Sequence, residues 1–247
     1  MKHIKLFETA TAFEAARATL DLPNVSLTVD NNIVHYNPYD PYNGYEYVDL
    51  GLSVKWAKWN VGANSESDSG LYFQWGDTQG YTAEQVGSGE GQKYFGWTDY
   101  KYSNNGGSTA AAMTKYNSTD GKTVLEASDD AATAAWGSGW RMPTDAEFNE
   151  LKENTNYEWT TINGVNGGKF TSKTDGTKYV FFPAAGYCND GTHDDAGSYS
   201  YIWSSTLNSS NVINGMYINF SSGGRDMDYV NRCLGFSVRG VLDNSNS

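Results

Sequence analysis

The stretch Trp140-Arg141-Met142-Pro143-Thr144-Asp145-Ala146-Glu147-Phe148-Asn149-Glu150-Leu151 opens the part of the chain that sets its class. Thr144 is an N-cap residue with Glu147 three positions on. That pair satisfies two orphan backbone donors reciprocally at a helix start. Phe148 and Leu151 recur at helical spacing and give the helix an apolar face. Downstream the pattern changes. Trp159-Thr160-Thr161-Ile162, Gly167-Gly168-Lys169-Phe170-Thr171-Ser172 and Lys178-Tyr179-Val180-Phe181-Phe182-Pro183 are short aromatic or β-branched runs separated by Gly and Asp. Such runs read as strands and turns.

Working outward, Tyr47 to Ala57 alternates as a strand would, with a tight turn at Gly51, and Leu71 to Asp77 is a second aromatic strand. Gly80 to Thr109 is rich in Gly, Ser and Asn and reads as ordered loops pinned by Tyr94, Phe95, Trp97 and Tyr100. Leu125 to Trp136 is a second helix candidate, with Ser128 as cap and Asp129 and Asp130 in the first turn, where the helix dipole favours anions. Helices early and strands late, without βαβ alternation, predict an α+β domain over residues 45–242. Residues 1–38 read as a small βαββ unit: Ile4 and Leu6 in a strand, a helix over Thr9 to Leu20, and a hairpin of 24–29 with 31–36 about an Asp-Asn-Asn turn. Residues 39–44, with Pro41 and Gly44, form the linker. A unit this small holds little core of its own, which predicts that it docks or displays the main domain.

The totals exclude several function classes. The 247 residues carry a net charge of −12 with only 19% charged residues, while 8 Trp and 18 Tyr supply apolar area. A phosphate backbone and an anionic lipid surface are both repelled, so neither nucleic acid nor membrane insertion is expected. The start has no apolar h-region, so synthesis in a cytoplasm without a signal peptide is expected, followed by surface display or association with a virion. Cys188 and Cys233 lack CxxC spacing. They exclude a zinc site and, given reducing synthesis, are expected as free thiols.

The C-terminal stretch from Tyr187 to Val241 is of a different kind. After Lys178 the chain has no Lys, Glu or Gln for about seventy residues. Tyr and Trp offer rigid amphipathic area there, and Ser, Gly and Asn offer adaptable hydrogen bonds, as in an evolved binding surface. A polar, turn-rich β region has the same composition.

Several motifs stand in order: Val48-Asp49-Leu50-Gly51-Leu52-Ser53-Val54-Lys55-Trp56-Ala57, Asn60-Val61-Gly62-Ala63, Trp75-Gly76-Asp77, Trp140-Arg141-Met142-Pro143-Thr144, Phe182-Pro183-Ala184-Ala185-Gly186-Tyr187, Trp203-Ser204-Ser205-Thr206 and Gly235-Phe236-Ser237-Val238-Arg239. Together they resemble the Fibrobacter-type paralogous domain of Bacteroidetes, a C-type lectin-like fold close to the formylglycine-generating-enzyme branch. The resemblance covers residues 45–242. Separately, Leu6-Phe7-Glu8-Thr9, Pro23-Asn24-Val25-Ser26-Leu27 and Val34-His35-Tyr36-Asn37-Pro38 resemble the leader of tail-fibre-type proteins of phages that infect gut Bacteroidetes.

The family includes the variable proteins of diversity-generating retroelements. Adenine-directed mutagenesis rewrites codons near their C-termini and, at AAC or AAT codons, never produces Lys, Glu or Gln. The resemblance therefore implies a hypervariable face over 187–234 that binds a protein or glycan on a cell surface, and a homo-oligomer, with a trimer among the alternatives. The residues expected on that face are Cys188, Asn189, Asp190, His193, Asp194, Tyr199, Ser200, Tyr201, Ile202, Asn208, Ser210, Asn211, Asn214, Arg225, Asp226, Asp228, Tyr229, Asn231, Cys233 and Leu234. Trp203-Ser204-Ser205 and Gly235 to Arg239 are expected as scaffold. Between them, alternation places Phe220, Ile218 and Met216 inward and Tyr217 and Asn219 outward.

Other chemistries fare worse. Calcium-lectin motifs (Glu-Pro-Asn or Gln-Pro-Asp with Trp-Asn-Asp) are absent. Asp190, Asp194 and Asp195 form an acidic loop, and no metal or other cofactor is expected. Of His3, His35 and His193 only the last lies near the face, neither GxSxG nor HExxH occurs, and the two cysteines stand outside the formylglycine-generating motif, so no catalytic residue is assigned. Trp56, Trp75, Trp140 and Trp203 are expected in the core.

Overall fold

A computed structural model describes residues 27–30, 33–36 and 42–244. Strands β1 (Leu27–Asp30) and β2 (Ile33–Tyr36) pair antiparallel, Leu27 opposite Tyr36, a hairpin where one was expected but with Asp30 paired to Ile33 in the strand and not in the turn. The strand at Ile4 and the helix over 9–20 lie outside the described residues.

From Tyr42 onward the chain is a set of small sheets. The first is four-stranded in the order β3-β4-β16-β6, from Tyr47–Val48, Val54–Asn60, Arg239–Asp243 and Trp140–Arg141. The second is an antiparallel meander, β7 (Thr155–Ile162), β8 (Val165–Ser172) and β9 (Tyr179–Pro183). The third has five strands, β14-β13-β12-β15-β5, from Gly224–Asn231, Asn214–Ser221, Ser200–Leu207, Phe236–Ser237 and Tyr72–Phe73. A two-stranded hairpin, β10 (Tyr187–Asn189) with β11 (Thr192–Asp194), stands beside it.

The α+β, C-type lectin-like expectation is corrected here. Strand makes up 40% and helix of every kind 16%, α-helix occurs in two segments among the described residues, and the architecture is β-dominated. The helices are α1 (Ala131–Trp136) and α2 (Asp145–Asn154). Helix α2 has the expected capping box: the Thr144 hydroxyl accepts from Glu147 N, and the Glu147 carboxylate accepts from Thr144 N at 2.8 Å. Helix α1 is half its predicted length, for a local reason. Its cap is Asp130, which accepts from Thr133 N at 2.9 Å, and Gly137 at φ 88° ends it. Asp129 is not a dipole ligand of that helix. Its carboxylate is drawn off to Lys115, Lys101 and the Tyr116 hydroxyl, and this fastens the preceding loops.

The core forms around the tryptophans. Trp56, Trp75 and Trp203 are fully buried and Trp140 nearly so, as expected. The Trp203 indole N–H donates to Phe73 O at 2.8 Å, and that of Trp75 to Ser204 O at 2.8 Å, so framework strands are tied through tryptophan. Wide rings with one N–H usually find such a partner when buried, and the Trp56 indole N–H is the exception among the described residues. The Trp203 ring also stacks on Phe236 with centroids 4.3 Å apart. Trp75, Trp203, Tyr217 and Phe236 belong to one core cluster, cluster one, on this side of the five-stranded sheet. Ile202, Ile218 and Phe220 face the other side and pack with Phe148, Leu151 and Phe182 in cluster two.

Candidate functional site

The stretch after Gly186 builds one face of the five-stranded sheet and the hairpin beside it. Asp190 (φ 47°) and Gly191 (φ 78°) both take positive φ between Asn189 and Thr192. Two such residues make the hairpin turn whose twist suits antiparallel strands, and Asp-Gly is a preferred pair for it. Tyr187 then stands opposite Asp194, and Cys188 opposite His193. On the sheet the register places Tyr201 opposite Asn219 and Asn219 opposite Asp226, with Trp203, Tyr217 and Asp228 as the next row. Side chains two apart on a strand share a face, so both rows lie on the same side.

The Trp203 and Tyr217 part of the second row is closed over, while Asp228 at its outer end and the row ending at Asp226 are open. Tyr217 is 8% exposed, with centroids 5.0 Å from Phe236 and 6.2 Å from Trp203. This corrects its outward assignment: cluster one covers that part of the sheet, so alternation there chooses between two buried sides. Met216, assigned inward, is only half-buried. Tyr201 is half-buried and central. Its ring lies 5.2 Å from Tyr187 and stacks 5.8 Å from Tyr199, and its hydroxyl donates to Asp195 at 2.8 Å. Asp194, Asp195, Tyr199, Asp226 and Asp228 are exposed. Burial, then Asp195, pushes the Tyr201 phenol up. For Tyr187 the causes are burial and then Asp194, and Tyr217 is raised to about 12 by burial and then Asp228. The phenols stay neutral hydrogen-bonding groups at any physiological pH.

The twenty expected residues separate into three sets. Tyr199, Tyr201, Asp194, Asp226 and Asp228 gather on the open face, while Asn189 and Asp190 sit at the tip of the hairpin beside it. Asn208, Ser210 and Asn211 form a turn at the other end of β12, roughly 20 Å along the strand by its rise per residue. Ser210 N donates to Asn208 Oδ1 at 3.0 Å there, and Asn231 and Leu234 lie at the same end. Tyr229 is 54% exposed, opposite Met216 in the register, and points away from Asp228.

The third set is not available to a ligand. Cys188, Ser200, Ile202, Asn214 and Cys233 are buried. The Ser200 hydroxyl donates to Pro183 O at 2.5 Å, and Ile202 belongs to cluster two. His193 is turned onto Tyr72, its Nε2 2.9 Å from the Tyr72 hydroxyl and 2.8 Å from Ala185 O. Arg225 is used on the other side of the sheet, donating through Nη2 to Lys152 O at 2.8 Å and lying over the Tyr157 ring. Each of these except Cys233, which is buried in the turn after β14, occupies an inward position of its strand or hairpin. Tyr187 and Asp195 belong to the face and were missed. The Asp190-Gly191 turn was the signal for Tyr187, because it places that residue opposite Asp194.

The cysteines are free, and burial pushes each thiol up to about 12. A thiol at that value is protonated at neutral pH and is a poor nucleophile and ligand. Among the described residues no group of three or more His, Cys, Asp or Glu is close enough to hold a metal ion. Likewise no helix among them is long and apolar enough to cross a membrane. A cavity of about 390 Å³ opens elsewhere, between Tyr45, Leu71, Phe73 and Trp136, and no residue of 187–234 lines it.

A family described as Domain of unknown function (DUF8237) matches residues 156–241, the part that runs from β7 to β16 and contains the whole face. No curated protein and no solved structure matches the chain.

Proposed function

We propose that this protein is a ligand- or receptor-binding protein that presents the open face of β12, β13 and β14, with the β10–β11 hairpin, for recognition of a cell surface. The observation that carries the reading is the Tyr187–Tyr201–Tyr199 strip, held on strands whose underside is locked in the core. Rigid aromatics on a fixed backbone lose little entropy when a partner covers them. The inert, buried thiols favour binding over catalysis at this site. By its resemblance to retroelement variable proteins, the face is one whose exposed positions are rewritten between copies, and the N-terminal unit displays it. Host-cell recognition by a phage or mobile element is the setting that fits.

The burial of Cys188, Ser200, Ile202, Asn214 and Cys233 favours a second reading, a surface module of fixed sequence. Five positions within the stretch have no freedom to vary without damage to the core. DNA separates the two. Diversification requires a near-repeat of the 3′ coding sequence beside a reverse transcriptase, differing at adenines, and with neither present the fixed module stands. The binding claim has its own test. Labelled protein is applied to a panel of intact bacterial cells, and Tyr201→Ala should lower adhesion at least tenfold while the circular dichroism spectrum is kept. Unchanged adhesion would sink the claim for this face.

A further inference from the structure

We infer that the occupant of the open face is a cationic protein segment, one that offers Arg or Lys side chains to the tyrosine strip. The inference rests on the binding reading above and adds the chemistry of the partner. The face is an uncovered part of a sheet, and its charge is one-sided. Asp194 and Asp195 border the strip on the hairpin side, and Asp226 and Asp228 border it on β14, all four exposed. Between these borders lie Tyr187, Tyr201, Tyr199 and the half-buried Asn219.

Every positive group that this part of the chain owns has been removed from the face. After Lys178 the sequence has Arg225, Arg232, Arg239 and His193, and no Lys. Arg225 lies on the opposite side of the sheet against Lys152 O. Arg232 is fully buried, its Nη1 donating to the carbonyls of Lys115 and Tyr116. Arg239 is fully buried against Ala57 O and Phe181 O. His193 points to Tyr72 beneath the hairpin. No cation of the chain's own C-terminal part neutralises the four carboxylates, so their field stands over the ring faces.

Aromatic faces attract cations through their quadrupoles, and a carboxylate beside the ring adds a charge partner that an Arg or Lys can reach at the same time. An acidic glycan, a phosphate and a second copy of this acidic chain all meet repulsion there. Asp226 has no hydrogen-bonded partner on its carboxylate among the described residues, whereas Asp195 is engaged by Tyr201. Asp226 is therefore a carboxylate free to turn to a ligand.

The test uses the full chain and two synthetic peptides, one of alternating arginine and glycine and one of alternating glutamate and glycine. Amide chemical shifts are followed by NMR. The arginine peptide should shift Tyr187, Tyr201, Asn219 and Asp226. Its affinity should fall as salt is raised from about 50 to 500 mM, and about fivefold in the Asp194→Asn/Asp226→Asn variant. Equal or stronger shifts with the glutamate peptide would overturn the cationic assignment, as would an affinity unchanged in the double variant. So would self-association through this face on concentration, seen by sedimentation. The binding reading fails separately, when Tyr201→Ala leaves cell adhesion intact. A face that binds cells through Tyr201 but ignores the arginine peptide refutes this inference alone.

Discussion

A thiol's reactivity is decided by its contact with water, and sequence position does not report it. Cys188 and Cys233 lie among Asn, Asp and Gly in the sequence, yet the structure places Cys188 with Tyr72 and Phe95 and Cys233 with Tyr100 and Met113. Their raised pKa has two measurable consequences. At pH 8 the native protein should release no thiol signal with an aromatic disulfide reagent, and two equivalents should appear after unfolding. A fast native equivalent would mean that one cluster opens. The stability contribution has a definite sign as well. A folded pKa of about 12 against an ordinary 9.0 favours the native state fully below pH 9. That contribution is lost as pH rises from 9 to 12, because the unfolded chain ionises first. Asp129 behaves oppositely. Burial alone would raise its carboxyl, but hydrogen bonds from Lys115, Tyr102 and Tyr116 outweigh that and hold it at about 2. Its contribution, about 2 kcal/mol for a shift of this size, is present above the ordinary 3.8 and lost as pH falls towards 2. Asp129→Asn should remove most of the acid-side slope in urea unfolding between pH 4 and 2, and an unaltered slope would assign it to other carboxylates.

At the scale of elements, the signals that survived are those whose physics is local. The Thr144/Glu147 box needs four consecutive residues and forms as read. Asn163-Gly164, between the strand runs read at 159–162 and 167–172, is a positive-φ pair that needs only its own backbone. The signals that failed depended on distant partners. Ser128 is as good a cap as Asp130 by residue type, but Asp130 also accepts from Met142 N at 2.7 Å, a contact 12 residues away that fixes where the helix begins. The open face was legible in the same uneven way. Composition points to Tyr199, Tyr201 and the aspartates but takes in Ser200 and Asn214 as well, and only alternation, which puts Asn214 with Met216 and Ile218 and turns Ser200 away from Tyr199 and Tyr201, separates them. Asp130 supplies the measurable case. It is 3% exposed and serves two backbone donors, so Asp130→Ala leaves both unpartnered. The expected loss is about 2 to 3 kcal/mol in denaturant unfolding, above the usual value for a single exposed cap. Ser128→Ala should cost under about 0.5 kcal/mol. Equal losses would return the cap to Ser128.

For the whole molecule, the question is how several small sheets hold together with little helix between them. A two-stranded hairpin is marginal alone, and larger sheets need an apolar face that is covered, so the sheets depend on what joins them. Arg239 on β16 is such a joint. Its Nη1 donates to Ala57 O on β4 at 2.8 Å, its Nη2 to Phe181 O on β9 at 2.7 Å, and its Nε to Asn60 Oδ1 at 3.0 Å. The guanidinium also lies 4.2 Å from the centre of the Phe182 ring. One fully buried side chain thus ties the four-stranded sheet to the β7–β9 meander, next to β15 and the face. Its position in the closing Gly235-Phe236-Ser237-Val238-Arg239 motif follows from this role, which a reading of alternation alone does not reach. Arg239→Met keeps the volume and strands three acceptors. It should cost about 3 to 5 kcal/mol in urea unfolding, as expected for a removed partner in a buried polar network. Tryptophan fluorescence and far-ultraviolet circular dichroism should move together in the wild-type chain and separate in the variant, because the meander then loses its tie before the tryptophan core melts. Coincident transitions with a loss below about 1 kcal/mol would show that apolar packing alone couples the sheets.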